Sequence, residues 1–502
     1  MSARYVCIWR CMTIASQGSF MSSSELTIYP ARLGLILCAG VIAISGCLAE
    51  QPEAAPEVAT STEALNPTDS NNHQYTDATG TLSSFSTAGV IDQTGPFFQV
   101  IGSNGRMCFT CHQIDLGWSI TPASVQARFD ATAGADPIFR TVDGSNAPNA
   151  VVTTLDDKRA AYSVLLAKGL IRIGLPIPAN AEFALQAVDD PYHFASAAQL
   201  SLFRRPLPST NVRFLNTVMW DGRENTPGNT LDANLLHQAN TATLTHAQSA
   251  GSITAAQARG MVDFMMGLTT TQHKDTDAKD LAASGSNNNA LTPAVMLSTQ
   301  VNYLGINDLF GDPQTGKPFD PHVFSMYDIW ATSLTGTGDK ETARRTILRG
   351  QNIFNSKTFT ISGVSGINDE PAFGAPAALV GTCTTCHDTP NAGNHSVPAP
   401  LNIGIADGAR RTADLPLYTL VNLTTRATIQ TTDPGRALVT GKWKDIGRFK
   451  GPILRGLAAR PPYFHNGFAA DLAAVVAFYE TRFSIAFTGT ERADLLAFLR
   501  SL

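Results

Sequence analysis

CFTCH at residues 108–112 and CTTCH at residues 383–387 are two copies of one pattern, C-x-x-C-H. Two thiols one helical turn apart can form thioether bonds to the two vinyl groups of one porphyrin. The adjacent histidine then lies under the iron as its proximal ligand. The two copies therefore predict two covalently bound haem c groups. The residues predicted to hold them are Cys108, Cys111 and His112 in the first copy and Cys383, Cys386 and His387 in the second.

Two other uses of paired cysteines fit the sequence less well. A structural zinc site could take four thiolates, but the gap from Cys111 to Cys383 is far longer than the loop of a zinc ribbon. Zinc also leaves the histidine after each pair unexplained. A thioredoxin-like redox pair needs a βαβ context, and nothing around either motif has that pattern.

Composition excludes several classes of protein. The chain has 502 residues, which suggests two or three domains, and a formal net charge of −5. This charge excludes a basic nucleic-acid footprint, and we expect no nucleic-acid partner. Four of the eight cysteines lie in the first 47 residues and the other four in the two motifs, so a disulfide scaffold is not expected. With 40 glycines and 28 prolines, long irregular connections are expected.

The N-terminus has the pattern of an export signal. LGLILCAGVIAI at 33–44 is a short apolar run after Arg32, of the length of a signal-peptide core. It leads into ISGC at 44–47, which resembles a bacterial lipoprotein signal with Cys47 as the lipidated residue. An ordinary secretory signal is the alternative. Residues 1–47 are therefore predicted to be a lipoprotein-type signal peptide. We expect an exported protein at the periplasmic face of a bacterial membrane, as an outer-membrane lipoprotein.

The rest of the chain divides into three predicted parts. Residues 48–84 are rich in Ala, Pro, Thr, Ser and Glu, which predicts a disordered tether. Residues 85–338 are predicted to form an N-terminal haem c domain with an insertion, and residues 339–502 a C-terminal one. Few segments alternate with period two, so the predicted fold is mainly α, with two cytochrome c-type haem domains and long loops.

Three helices are predicted in the second half of the chain. ETARRTILRGQNIF at 341–354 has an amphipathic pattern. Asp471 is a candidate N-cap for LAAVVAFYE, and Thr488 with Glu491 a candidate capping box for the last helix.

Four further segments carry a family resemblance: MWDGR at 219–223, FKGPILRGLAARPPYFHNG at 449–467, and the final LAAVVAFY and TERADLLAFL stretches. Together they resemble the bacterial di-haem cytochrome c peroxidase family, which includes the di-haem enzyme of methylamine utilisation. The resemblance runs from about residue 95 to residue 502 and is poor across the central insertion.

The resemblance implies a periplasm-facing di-haem c oxidoreductase. Such an enzyme reduces hydrogen peroxide or another small oxidant at the first haem and relays electrons through the second. Its implied partner is a small periplasmic electron-donor protein, and membrane contact is through the lipid anchor only.

The resemblance also implies roles for residues around the first haem. Trp220 would lie between the haems and assist electron transfer; the alternative is a buried structural tryptophan. Gln238 would line the distal pocket, or else lie on a helix surface. The family's distal glutamate falls at Gln248, which cannot ionise. His246 is therefore the candidate base for peroxide cleavage, with a plain surface histidine as the alternative.

The sixth ligand of the second haem cannot be a methionine of its own domain, since no methionine follows residue 326. The available groups are His395, His465, Tyr418, Tyr463 and Tyr479. Tyr479 lies on the apolar face of its predicted helix, where the family carries a Met or a Tyr, and is the predicted iron ligand. His465 is expected to lie beside this haem without binding its iron.

The first haem is expected to have an open or water-bound iron. No histidine occurs between His112 and His193, so the blocking distal histidine of many family peroxidases is absent. Family members often bind calcium between their domains, and Asn211 matches a possible ligand position, so one calcium ion is a possible further cofactor.

Two other functions are open on the sequence. One is a di-haem oxidase or oxygenase of an organic or protein substrate. The other is a non-catalytic di-haem electron carrier, which would need six ligands on both irons.

Overall fold

Strands as well as helices run through the chain. The computed structural model describes residues 66–282 and 293–502, and in these ranges it contains eleven helices and thirteen strands. Helices account for 31% and strands for 18% of the residues. The prediction of a mainly α fold is therefore wrong, and the fold is mixed α and β.

The elements are mostly short. The helices are α1 (Pro122–Thr132), α2 (Leu155–Ala161), α3 (Ser163–Lys168), α4 (Leu231–Thr245), α5 (Ala255–Met266), α6 (Pro293–Ser298), α7 (Trp330–Ser333), α8 (Asp339–Ser356), α9 (Ala437–Thr440), α10 (Leu472–Phe483) and α11 (Gly489–Arg500). The strands are β1 (Thr68–Ser70), β2 (Gln74–Asp77), β3 (Gly80–Ser86), β4 (Val90–Asp92), β5 (Ile171–Leu175), β6 (Phe183–Asp189), β7 (Leu200–Arg204), β8 (Leu268–Asp275), β9 (Lys279–Asp280), β10 (Phe359–Ser362), β11 (Ala378–Gly381), β12 (Leu417–Asn422) and β13 (Thr428–Thr431).

The strands form five small antiparallel sheets. The largest has the order β2-β3-β8-β9, in which Ser84 of β3 lies opposite Thr270 of β8. A three-stranded sheet has the order β13-β12-β6, with Leu420 opposite Leu185. The pairs β1-β4, β5-β7 and β10-β11 make the other three. Two of these sheets thus join segments almost 200 or more residues apart in the chain.

Burial on both faces hides these strands from a search for alternating residues. All five residues of β7 are buried, and in β3 three consecutive residues are buried. A strand covered on both sides has no solvent face, so polar and apolar residues need not alternate along it.

The predicted tether is shorter than expected. Strands β1, β2 and most of β3 lie within residues 66–84, so the prediction of disorder is wrong for this part. Leu82 is fully buried, and the Tyr75 hydroxyl donates a hydrogen bond to Asp69 at 2.6 Å. Few large apolar residues are enough here because β3 pairs with the distant β8. The signal peptide, Cys47 and residues 48–65 lie outside the described residues.

The three predicted helices are confirmed. Helix α8 contains all of 341–354. Asp471 accepts a hydrogen bond from the Ala474 N–H at the start of α10, and Thr488 and Glu491 form a reciprocal capping box at the start of α11.

Two apolar cores surround the two motifs. The first includes Phe97, Trp118 and Leu268, and the second joins α7, α8 and α11 through Trp330 and Phe498. The division at residues 338 and 339 stays a prediction. Within the described ranges, no helix has the length and apolar character needed to cross a membrane.

Candidate functional site

The two C-x-x-C-H segments have the same local structure. Cys108–Thr110 and Cys383–Thr385 each form a single 3₁₀ turn. A threonine closes each turn: the hydroxyl of Thr110 or Thr385 accepts a hydrogen bond from the backbone N–H three residues earlier, at 3.1 and 2.9 Å. In each segment, both cysteines line one cavity.

The four cysteines of the motifs are unpaired thiols. Burial raises the pKa of Cys108, Cys383 and Cys386 to about 12, and it also raises the pKa of Cys111. Since the thiolate is the nucleophile, these buried thiols are unsuited to reactive-cysteine chemistry. They suit permanent attachment to a group in the cavity.

Both histidines of the motifs are oriented in the same way. His112 Nδ1 donates to the Trp118 carbonyl at 3.1 Å, and His387 Nδ1 donates to the Gly393 carbonyl at 2.6 Å. A carbonyl can only accept, so Nδ1 carries the hydrogen and Nε2 is left as the basic nitrogen. Burial lowers the pKa of His112 to about 4 and also lowers that of His387. Both imidazoles are therefore neutral at pH 7, the form that binds iron.

Each motif faces a large, mainly apolar cavity. The first cavity holds about 1400 Å³ and the second about 1650 Å³, open solvent at their mouths included. Both exceed the roughly 300–1,000 Å³ of ordinary small-molecule pockets. The apolar residues that line the first include Phe97, Val218, Leu235, Met261 and Met265. Those that line the second include Phe354, Ile361, Leu401, Leu472 and Val476. Paired thiols, a neutral imidazole and apolar walls fit haem c in both cavities.

Trp220 lies in the wall between the cavities and lines both. Its indole N–H donates to the Arg205 carbonyl at 2.8 Å. On the side of the second cavity its ring lies 6.2 Å from that of His465, which stacks on Phe449 at 3.8 Å. An aromatic path thus leads from Trp220 into the second cavity.

A polar chain enters the first cavity from the end of α4. His246 caps this helix, lines the cavity and is 30% exposed. Its Nδ1 donates to Asp143 at 2.5 Å, and the other oxygen of Asp143 pairs with Arg106. Although burial alone would raise the pKa of Asp143, Arg106 and His246 hold it below its usual value. Asp143 is therefore an anion that fixes His246 with Nε2 as the free nitrogen.

The two glutamines lie in different places. Gln238, on α4, lines the first cavity. Gln248 is exposed, has a φ of 54° and is not among the residues that line either cavity described here. The structure brings Gln238, His246 and Trp220 to one cavity and leaves Gln248 outside it.

Tyr479 lines the second cavity on α10. Within the described part of the chain, its hydroxyl forms no hydrogen bond, whereas the Tyr418 and Tyr463 hydroxyls bond to backbone carbonyls at 2.7 and 2.8 Å. Burial raises the pKa of Tyr479 well above its usual value. Of the three tyrosines, Tyr479 is the one with an open oxygen facing the cavity.

The two histidine candidates differ in their surroundings. His395 pairs with Asp388 at 3.0 Å. His465 is 2% exposed and lines the second cavity, and its buried Nε2 forms no hydrogen bond with a described residue. Burial lowers the pKa of His465 to about 4, so it is neutral.

Asn211 lies away from the cavities. Its amide donates to the Thr270 carbonyl at 2.9 Å and its amide oxygen accepts from the Thr270 N–H at 3.0 Å. No cluster of three or more His, Cys, Asp or Glu that could hold a metal ion occurs among residues 66–282 and 293–502. The calcium assignment of Asn211 stays a prediction.

The sequence reasoning missed three residues of this region: Arg106, Asp143 and Lys450. Arg106 could have been considered, because it lies two positions before the first motif. Asp143 has no local signal, since its partner His246 lies 103 positions away. Lys450 lines both cavities and was visible only as part of the FKGP segment.

Comparison with known proteins finds distant relatives among the cytochrome-c peroxidases. The cytochrome-c peroxidase IdrP2 of Denitromonas iodatirespirans is 28% identical over 132 residues, 24% of this chain and 36% of that protein. IdrP1 of Pseudomonas sp. (strain SCT) is 29% identical over 140 residues, with the same two coverages. The matched region spans about a third of the length of each relative. No protein-family model matches the chain.

Among solved structures, the chain is similar to a MauG-like protein associated with microbial copper homeostasis. The sequences are 16% identical, and the match covers 61% of this chain and 76% of that one with a TM-score of 0.32. The distant peroxidase relatives support a c-type haem oxidoreductase in general.

Proposed function

We propose that this protein is a di-haem c oxidoreductase that reduces hydrogen peroxide at the first cavity, with electrons relayed through the second. The observation that carries the proposal is the Arg106–Asp143–His246 chain in the wall of the first cavity. The distant similarity to cytochrome-c peroxidases supports the same reaction class.

Haem c, when bound, supplies an iron that binds small oxidants and exchanges single electrons. Reduction of peroxide to two waters also needs two protons and a group that moves one of them between the oxygens. His246 Nε2 is the free nitrogen of a ring whose Nδ1 is held by Asp143. It can take the proton of one peroxide oxygen and return it to the leaving oxygen. Gln238, in the same wall, can orient peroxide by hydrogen bonding but cannot take its proton.

Electrons for this reaction would enter at the second cavity and cross at Trp220. We propose a small periplasmic electron-donor protein as their source. An export signal and lipid anchor at Cys47 would place the enzyme on the periplasmic face of the membrane.

A matched pair of histidine variants tests the proposal. His246→Gln keeps a hydrogen-bonding side chain beside Asp143 but removes the titratable nitrogen. We expect peroxide-dependent oxidation of a reduced donor to fall by roughly 10²-fold or more, the usual contribution of a general base. His237→Gln, on the same helix but 61% exposed and paired with Glu224, serves as the control. Equal rates for the two variants would remove His246 from the reaction.

An oxidase of an organic or protein substrate is the second candidate. The open hydroxyl of Tyr479 in the second cavity favours it, because an anionic oxygen ligand stabilises higher oxidation states of iron. If wild-type protein consumes peroxide only when an oxidisable organic substrate replaces the reduced donor, this candidate gains over the first.

A further inference from the structure

Three cationic side chains lie in the partition between the two cavities. We call Arg205, Lys450 and Arg460 the cationic wall. Arg205 and Lys450 line both cavities, and Arg460 lines the second. Arg205 is 5% exposed and Lys450 is 6% exposed, so two of the three charges are almost wholly removed from solvent.

Within the described residues, no carboxylate lies within ion-pair distance of any member of the cationic wall. The strongest hydrogen bonds of the three go to backbone carbonyls instead. Lys450 Nζ donates to the Thr217 carbonyl at 2.9 Å, Arg205 Nη2 donates at 2.7 Å, and Arg460 Nη2 donates at 2.8 Å. Carbonyls satisfy the donors but supply no opposite charge. Burial accordingly lowers the pKa of Lys450 to about 7 and that of Arg205 to about 9.

The buried carboxylates nearby are already bound. Asp433 pairs with Arg204 at 2.7 Å, and Asp221 pairs with Arg204 at 2.5 Å and with Arg223 at 3.2 Å. Neither carboxylate is left to balance the cationic wall. Buried cations are stable only when an anion reaches them.

We propose that the cationic wall binds carboxylates, namely the propionate groups of the haems that occupy the two cavities. This rests on the haem assignment within the proposed function and not on the peroxide reaction. Each haem c brings two carboxylates, which supply the missing negative charge. Because Arg205 and Lys450 face both cavities, the wall places positive charge next to both cofactors. Bound propionates keep Lys450 charged at pH 7.

Resonance Raman spectroscopy of the haem-loaded full chain tests the cationic wall. The low-frequency propionate bending bands report hydrogen bonds to these carboxylates. In Lys450→Met we expect at least one such band to shift and the midpoint potential of at least one haem to fall, since a nearby cation favours the reduced haem. Lys450→Arg should restore both properties. Lys442→Met, which removes a 56% exposed lysine paired with Glu182, should leave both unchanged.

Arg460→Gln provides a second test if Lys450→Met does not load haem. Bands and potentials equal to wild type in whichever variant loads haem would overturn the cationic wall as a propionate site. The haem content, measured as pyridine haemochrome, separates the two proposals. Two haems with unchanged bands overturn the wall alone, whereas a chain without haem overturns the proposed function as well.

Discussion

Asp143 holds together the polar side of the first cavity. It pairs with Arg106 through one oxygen and with His246 through the other. Both partners' ends of this chain are enclosed: the side chains of Arg106 and Asp143 are 5% and 6% exposed. Asp143 therefore has a structural role, as the counter-charge of a buried arginine, and a positioning role toward His246.

Asp143→Asn should destabilise the protein strongly. It leaves the Arg106 charge buried without a partner, which costs about 3–5 kcal/mol. Urea unfolding of the variant and wild type at pH 7 measures this difference. Asp130→Asn removes a carboxylate that is 58% exposed and pairs with Arg159, and should cost at most about 1 kcal/mol. Similar losses for the two variants would contradict the role of Asp143.

The same pair predicts a pH dependence. The pKa of Asp143 in the folded state lies below its unfolded value of about 3.9. Its stabilisation is therefore present above about pH 4 and is lost as the pH falls through the lower folded-state pKa. The difference in unfolding free energy between wild type and Asp143→Asn should narrow below pH 4.

Residue-level reasoning from the sequence identified the groups whose chemistry is written locally. The two motifs contain their cysteines, histidines and the threonine that closes each turn. His246 could be picked out as the ionisable group nearest a position where glutamine replaces glutamate. Asp143 could not, because the pairing depends on folding across 103 positions of the chain.

The contact between α8 and α11 is the closest helix pairing around the second motif. Gly350 of α8 makes it possible: a Cβ at this position would lie 2.0 Å from the Asp494 carbonyl oxygen and 2.6 Å from Phe498 Cβ. Any side chain there must push the two backbones apart.

Gly350→Ala should therefore destabilise the protein by about 1–3 kcal/mol, the usual cost of overpacking. This is the opposite of the gain of up to about 1 kcal/mol that alanine gives over glycine in a free helix. Asn352→Ala, at an exposed position of α8, is the matched control and should be neutral or slightly stabilising. Thermal unfolding of the haem-loaded variants measures both, and a Gly350→Ala variant as stable as wild type would refute the close contact.

Helices were more predictable than strands for a physical reason. Helices α8, α10 and α11 have one apolar face and local capping residues, so their sequences contain the signals that define them. Strand β8, with the sequence LTTTQHKD, has six consecutive buried residues and no alternation. Its place in a sheet depends on β3, which lies nearly 200 residues earlier, and no local pattern records that pairing.

At the scale of the whole molecule, the two halves of the chain are interlocked. Strand β6, from the first half, pairs with β12 from the second. The Tyr418 hydroxyl of β12 also bonds to the backbone of Ser201 on β7. The sequence predicted two haem centres but not this exchange of strands, since both pairings join segments more than 200 residues apart.

Trp220 is the side chain that connects the two centres. It lines both cavities, and on one side its ring approaches His465 at 6.2 Å. An extended aromatic ring in this position shortens the gap that an electron must cross. The indole also bonds to the Arg205 carbonyl, which fixes the ring in the partition.

Trp220→Phe should slow electron transfer between the centres while leaving haem attachment intact. A phenyl ring is smaller and lacks the indole N–H, so we expect a fall of about tenfold or more in the transfer rate, equivalent to about 1.4 kcal/mol in the barrier. The measurement is rapid mixing of the fully reduced protein with peroxide, followed by the optical change of the second haem. Trp443→Phe is the control, because Trp443 packs with Phe183 against the three-stranded sheet and does not line either cavity. If Trp220→Phe and Trp443→Phe transfer electrons at the wild-type rate, the path between the cavities does not pass through Trp220. The wall that separates them must then be crossed elsewhere, with the His465–Phe449 stack as the next group to test.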